Sequence, residues 1–173
     1  GEQFLVEQFS LSLIPSLGLV DTRYRTLQNT SVLAMGASEF NTDLAPLPAV
    51  PVELTTITEE WWSGSAFLNE QFTRENLVQQ RRRHGYAIVH LATHGEFLTF
   101  EDSYIQLWDE RLRLDQLRRL GWNNPAVELV VLSACRTAVG SEEAELGFAG
   151  FAVSAGVKSA LASLWYVSDE GTL

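Results

Sequence analysis

The chain of 173 residues is long enough for one domain with a sizeable core, and its 46% of apolar residues argues against a disordered protein. The net charge of -10 argues against general nucleic-acid binding, because a polyanion would be repelled. The single cysteine excludes an internal disulfide, and no apolar run approaches the roughly 20 residues that a membrane span needs. Since the N-terminus also lacks the pattern of a signal peptide, we expect a soluble cytoplasmic protein without a nucleic-acid or membrane partner.

The first half of the chain predicts short elements around one buried strand. The apolar residues 4–6 and the alternating apolar and polar residues over 9–14 predict an antiparallel hairpin, and Ser16 is a candidate N-cap for a helix to about residue 27. The apolar run over 31–36 predicts a buried strand. The next predicted elements are a helix over 52–62, a strand over 66–68 and a helix over 73–83. Thr73 is the predicted cap of the last helix. The arginines 81–83 at its end are interpreted as a solvated helix terminus.

The second half predicts strands that alternate with helices. The predicted elements are a strand over 86–92, a hairpin of 103–108 and 111–114 at the periphery of the sheet, a helix over 115–120, a strand over 127–133, a helix over 146–155 that Gly156 ends as a left-handed cap, and a strand over 157–164. Because these strands are apolar on both faces, they indicate a mostly parallel sheet covered by helices on each side, an α/β fold.

Two predicted strand ends carry the side chains that suggest chemistry. The segment His-Leu-Ala-Thr-His-Gly (90–95) ends one strand with His94, and Leu-Ser-Ala-Cys-Arg-Thr-Ala (132–138) ends another with Cys135. A thiol with an ordinary pKa of about 8.5 needs a base to attack a carbonyl at neutral pH, and an imidazole on a neighbouring strand can provide it. The alternative that Cys135 is a packing residue stays open, since cysteine is among the most buried residue types.

The three histidines differ as candidates for that base. His84 lies beside the arginines and is expected to be exposed, and His90 lies inside a strand, where a satisfied, partly buried histidine is the favoured interpretation. His94 precedes Gly95, which lets a substrate approach the backbone, so the amides of Gly95 and Cys135 are candidates for an oxyanion hole. No metal-ligand spacing is present, and we expect neither a metal nor an organic cofactor.

These motifs, together with the small-residue segment 147–156 and Ser-Leu-Trp-Tyr-Val-Ser-Asp (163–169), resemble the CHAT family of bacterial, caspase-like cysteine peptidases, which are often fused to tetratricopeptide repeats. The resemblance implies a single domain over residues 1–173 with a caspase–hemoglobinase-like three-layer sandwich, in which helices flank a mostly parallel central sheet. It also implies that the domain continues beyond Leu173 with another helix and strand, and that tetratricopeptide repeats are a candidate partner within a longer parent protein.

The resemblance also assigns roles to residues. It implies that His94 is the base, Cys135 the nucleophile and Gly95 an oxyanion-hole donor. Residues 164–169 are similar to a segment of separase in which an acidic residue helps bind a basic side chain before the cut, and Asp169 matches that residue. An N-cap role beside Ser168 is an equally weighted alternative for Asp169.

The residues around the cysteine depart from two related families. Ser-Ala-Cys-Arg-Thr differs from the Gln-Ala-Cys-Arg-Gly of caspases, and Ser133 stands where metacaspases carry an aspartate. Neither the aspartate specificity of caspases nor a metacaspase pocket is therefore carried over. The acidic residues 142–145 have two interpretations, a loop bordering the site and the charged first turn of the following helix.

The leading hypothesis is therefore a cysteine endopeptidase that cuts polypeptide substrates through an acyl-enzyme, with a basic residue before the cut. A catalytically inactive, caspase-like module with a binding or regulatory role is the first alternative, since fold does not establish function. A non-proteolytic thiol hydrolase is the second.

Overall fold

The computed structural model describes residues 4–8, 26–97, 102–134, 150, 152–153 and 155–162. The strands in these ranges are β1 (Val32–Gly36), β2 (Gly64–Leu68), β3 (Ile88–Ala92), β4 (Gly95–Glu96), β5 (Tyr104–Gln106), β6 (Arg111–Arg113), β7 (Leu129–Ser133) and β8 (Ser159–Ala162). The helices are α1 (Leu5–Gln8), α2 (Val50–Thr55), α3 (Arg74–His84) and α4 (Leu114–Arg118), and α2 continues as a π-helix over Thr56–Trp61.

The centre of the fold is a five-stranded sheet in the order β2-β1-β3-β7-β8, with every neighbouring pair parallel. Helices cover both faces. On one face, Leu54 of α2 packs with Ala34 of β1, and on the other Leu77 of α3 packs with Val89 of β3. The predicted α/β sandwich with a mostly parallel central sheet flanked by helices is confirmed.

Burial differs along the sheet. Every residue of β1 and β3 is buried, as expected of strands covered on both faces. In β7 burial alternates, and in β8 the side chain of Leu161 is 60% exposed. Within the described residues, the face that α2 covers at β1 and β3 is therefore open to solvent near β8.

Helix α3 begins and ends where its capping residues predict. The Thr73 hydroxyl accepts a hydrogen bond of 3.2 Å from the Asn76 N–H, and Gly85 follows the helix with a φ of 61°. Gly156 also has the positive φ, 104°, expected of a residue that ends a helix. None of the helices in the described ranges is long and apolar enough to span a membrane.

The interpretation of the three arginines as a solvated terminus is wrong for Arg81, which is 2% exposed. Its guanidinium donates to the carbonyls of Leu120 and Gly121 at 3.1 and 3.0 Å and lies 4.3 Å from the ring centroid of Trp122. Burial, and secondarily the charge of Arg82, lowers the pKa of Arg81 to about 10. The helical period explains the burial, because Arg81 lies one turn after buried Leu77 on the same face.

Two further predictions require correction. The strand expected over 4–6 is wrong, because that segment overlaps the short helix α1, and the second strand of that hairpin lies outside the described residues. The hairpin of β5 and β6 does form, but it belongs to a separate three-stranded sheet with β4 rather than to the edge of the main sheet. A strand of two residues such as β4 leaves no periodic signal in a sequence.

Candidate active site

The candidate site lies where β3 and β7 end side by side. Each residue of β3 pairs with the β7 residue 41 positions later, from Ile88 with Leu129 to Ala92 with Ser133. The pairing continues past the strands, because the Thr93 N–H donates to the Ser133 carbonyl over 3.0 Å. The next residue, His94, therefore lies at the carboxyl edge of a parallel sheet, where ligand sites usually form.

Part of the predicted site can be described. His94 and Gly95 lie together at this edge, at the end of β3 and the start of β4. Cys135, Asp169 and the acidic residues 142–145 lie outside the described residues, so their roles remain predictions.

The ring of His94 is held by the loop between β1 and α2. Its Nε2 atom lies 2.7 Å from the carbonyl oxygen of Ala45, and its ring centroid lies 4.8 Å from that of Phe40. Since a carbonyl oxygen only accepts hydrogen bonds, Nε2 carries the proton and donates. The lone pair of the neutral ring is then on Nδ1, which has no hydrogen-bond partner among the described residues, so Nδ1 is the nitrogen available to act as a base.

The backbone around His94 is anchored to β5. The Thr93 hydroxyl, which is buried, donates to the Gln106 carbonyl over 2.6 Å. The Gln106 N–H donates to the His94 carbonyl over 2.9 Å. Because Thr93 is also bonded to Ser133 of β7, the backbone on both sides of His94 is fixed before any substrate binds, which is the preorganisation that catalytic groups require.

The amide of Gly95 is directed away from β5. The bond from Gln106 to His94 makes these two residues a hydrogen-bonded pair, so the next pair, Gly95 with Ile105, is a non-hydrogen-bonded one. The N–H of Gly95 therefore does not take part in the ladder with β5. This orientation is the one that an oxyanion donor on β4 needs.

Gly95 also lies close to the end of β7. A Cβ atom built on Gly95 would lie 3.6 Å from Cβ of Ala134, the residue before Cys135, and 3.0 Å from Cε2 of Phe97. The backbone after β3 and the backbone after β7 are therefore near neighbours, with limited room for a side chain at position 95.

His90 is a different kind of histidine. It is 7% exposed, and its Nε2 lies 2.8 Å from Oε1 of Glu53 on α2. The expectation of a satisfied histidine within the strand is confirmed, although the residue is more completely buried than expected. His84 is exposed at the end of α3, as expected, with its ring centroid 5.6 Å from that of Tyr86.

Sequence reasoning missed two groups that hold these histidines, Glu53 and the carbonyl of Ala45. Glu53 had a detectable signal, because it shares the apolar face of α2 with Val50 and Leu54, and a carboxylate on such a face needs a buried partner. The carbonyl of Ala45 had none, since every residue carries one.

A cavity of about 530 Å³ lies on the α2 side of the sheet, and Ser133 at the end of β7 is part of its lining. Its walls include Trp61 and Leu161, and the pair of His90 and Glu53 supplies its ionisable side chains. The cavity is therefore mainly apolar and adjoins the carboxyl edge of the sheet. In the described ranges, no group of three His, Cys, Asp or Glu side chains has an arrangement that holds a metal ion.

Comparisons with known proteins place the chain in a family. No curated protein sequence matches it. Among solved structures, it is similar to the crystal structure of protein GSU0716 from Geobacter sulfurreducens, with 17% identity and a TM-score of 0.43 over 61% of this chain and 50% of that one. The chain thus spans about half the length of that protein. The sequence matches the CHAT domain over residues 1–173, and the chain belongs to the CHAT domain family of caspase-like peptidases.

Proposed function

We propose that the chain is a cysteine endopeptidase in which Cys135 is the nucleophile and His94 the base. The hydrogen bond from Nε2 of His94 to the Ala45 carbonyl carries the proposal, because it leaves Nδ1 as the basic nitrogen at the carboxyl edge of the sheet. Cys135 comes two residues after the end of β7, as His94 comes two residues after the end of β3. The offset of 41 residues between paired positions of these strands is also the separation of His94 and Cys135 in the sequence.

A second observation supports the same pairing. The close approach of Gly95 to Ala134 links the segment that carries His94 to the residue directly before Cys135. An activated cysteine requires an imidazole within reach of its thiol, which is why the proximity of these two segments supports the proposal.

In the proposed reaction, Nδ1 of His94 takes the thiol proton and the Cys135 sulfur attacks the carbonyl carbon of the scissile peptide. The amides of Gly95 and Cys135 donate hydrogen bonds to the oxyanion that forms. The C–N bond then breaks, His94 gives its proton to the leaving amine, and a thioester remains on the sulfur. Water, deprotonated by His94, attacks the thioester, and the thiol and the new carboxylic acid are released.

The proposed substrates are polypeptides with a basic residue before the cut. Asp169 is the candidate for binding that basic side chain, on the strength of its match to the separase-like segment. Tetratricopeptide repeats in a longer parent protein are the proposed partner.

The test is covalent labelling with a peptide that ends in arginine and carries a thiol-reactive acyloxymethyl ketone. We expect the wild type to be labelled, and the variants Cys135→Ala and His94→Ala to be unlabelled. His84→Ala is the matched control, since it removes an exposed histidine far from β7 along the chain, and it should label like the wild type. Equal, weak labelling of wild type and His94→Ala would indicate a reactive thiol on an inactive binding module instead.

The proposed preference for a basic residue before the cut is tested by comparing two probes. A probe ending in aspartate should label the wild type much more slowly than the arginine probe. Asp169→Asn should reduce this difference, and an unchanged ratio of the two rates would remove Asp169 from the substrate site.

A further inference from the structure

The loop between β1 and α2 supplies both contacts to the His94 ring, one from Phe40 and one from the carbonyl of Ala45. The Leu47 N–H donates to the Ser38 carbonyl across this loop at 2.8 Å, and the Ala37 N–H, at the start of the loop, donates to the Ala92 carbonyl at 3.1 Å. Ala45 lies in the segment that the bond between Leu47 and Ser38 closes, so the way Ser38 is held contributes to the position of the Ala45 carbonyl.

Ser38 is held by one side chain from another part of the chain. Oδ1 of Asn69, in the connection after β2, lies 2.8 Å from the Ser38 amide nitrogen and 3.3 Å from its hydroxyl. The Glu39 amide nitrogen lies 3.4 Å from the same oxygen. Because two N–H groups face this atom and can only donate, the oxygen of the Asn69 amide, and not its nitrogen, must face the loop.

The backbone of Asn69 is adapted to this role. Its φ of 52° lies in the left-handed region, which asparagine tolerates better than most residues. Leu68, the residue before it, pairs with Gly36, which lies two residues before Ser38, so Asn69 directly follows the end of the β1–β2 ladder. The hydrogen bonds of Asn69 thus connect the segments that follow β1 and β2, directly after the last pair of the β1–β2 ladder.

We propose that Asn69 is a positioning residue for His94. By fixing Ser38, it holds the Ala45 carbonyl against Nε2 of His94 and so keeps the proton on Nε2 and the lone pair on Nδ1. The effect on the tautomer follows from the hydrogen bonds alone, whereas the effect on catalysis rests on the peptidase function proposed above.

The test compares three substitutions at position 69. Asn69→Gly keeps a backbone that accepts the positive φ but removes the acceptor oxygen, and Asn69→Ala removes the oxygen and adds strain. Asn69→Asp keeps both an acceptor oxygen and tolerance of the left-handed region. The matched control is Asn29→Gly, at an exposed asparagine with a φ of 60°.

The first measurement is the tautomer of His94, from the ¹⁵N chemical shifts of its ring in the folded protein. We expect the proton on Nε2 in the wild type, in Asn69→Asp and in Asn29→Gly, and a mixture of tautomers in Asn69→Gly and Asn69→Ala. An unchanged tautomer in Asn69→Gly would overturn the proposal, because the backbone conformation, rather than the side-chain oxygen, would then be what matters at this position.

The second measurement is peptide hydrolysis. A loss in kcat of about 10- to 100-fold with little change in KM is expected for Asn69→Gly, since small displacements of a catalytic group have effects of this size. Rescue by Asn69→Asp supports the proposal, and equal losses in Asn69→Gly and Asn69→Asp contradict it. If the tautomer changes in Asn69→Gly while the wild type shows no labelling of Cys135, the peptidase function is refuted and the positioning of His94 by Asn69 remains supported.

Discussion

His90 and His94 are four residues apart in the sequence, yet the fold gives them opposite properties. His90 is buried in β3 with a carboxylate as its partner, whereas His94 is half-buried just past the strand, with an uncharged carbonyl as its partner. A buried ionisable pair is costly to break, because the remaining charge has no compensation. A backbone carbonyl instead fixes the tautomer and leaves the second ring nitrogen for chemistry. Burial and the type of partner, rather than the residue type, therefore separate the structural histidine from the catalytic candidate.

The largest expected effect is on catalysis, from His94→Ala. Loss of a general base typically lowers the rate by about 10²- to 10⁴-fold, so we expect kcat/KM to fall by about 10³-fold. The free energy of unfolding should change by less than about 1 kcal/mol, because the ring is half-buried and its partner carbonyl can be solvated. Peptide hydrolysis and urea denaturation measure the two quantities. A large loss of stability would mean that His94 is a structural residue like His90.

His90→Ala should have the reverse effect. Its removal leaves the Glu53 carboxylate buried without a partner, which typically costs 3 to 5 kcal/mol, and we expect about 3 kcal/mol because the adjoining cavity lets water approach. The kcat/KM of the folded protein should stay close to that of the wild type.

The double variant His90→Leu with Glu53→Leu is the control for this prediction. It removes both ionisable side chains, so neither is left buried without its partner, and its free energy of unfolding should lie within about 1 kcal/mol of the wild type. If the double variant is as unstable as His90→Ala, packing and not the lost partner explains the effect.

Thr93→Val tests the backbone anchor next to His94 and should have an intermediate effect. The substitution keeps the shape but removes the donor to the Gln106 carbonyl, so we expect a loss of about 1 to 2 kcal/mol of unfolding free energy. A decrease of about 10-fold in kcat/KM should accompany it, less than the roughly 10²-fold expected from a displacement of about 1 Å. Thr93→Ser keeps the hydroxyl and is the control for activity. Equal activity of the two variants would show that this anchor does not position His94.

Much of the fold could be predicted because each main element has a local signal. The apolar runs of β1, β3 and β7 and the caps of α3 lie close to their predicted bounds. Residues 4–6 overlap a helix rather than a strand, and the sequence alone does not distinguish the two because three consecutive apolar residues fit either structure equally well. A basic run by itself predicts a solvated terminus, whereas the position of Arg81 four residues after buried Leu77 on α3 explains why it is buried.

The side chains of the candidate site could be predicted from the sequence, but the groups that hold them in place could not. His94 and Gly95 follow an apolar strand and belong to a recognisable motif. The Ala45 carbonyl and the oxygen of Asn69 act through a loop whose shape depends on contacts between distant parts of the chain, since Ser38 and Asn69 are 31 positions apart in the sequence. No local pattern contains that information. Cys135 and Asp169 remain predictions from the motif and the family.

The smallest effect on stability and activity is expected from His84→Ala. This histidine is exposed and has no charged partner among the described residues. His84 is the last residue of α3, where a protonated ring has a favourable interaction with the helix dipole that is weak at an exposed position. We therefore expect a change of about 0.5 kcal/mol or less in unfolding free energy, diminished further by salt, and an unchanged kcat/KM. Denaturation at low and high ionic strength measures it. A loss of unfolding free energy above about 1 kcal/mol that persists in salt would contradict this prediction. The contact of His84 with Tyr86 would then stabilise the fold as much as a buried hydrogen bond does. In that case, burial and the type of partner would not determine how much each of the three histidines contributes to stability.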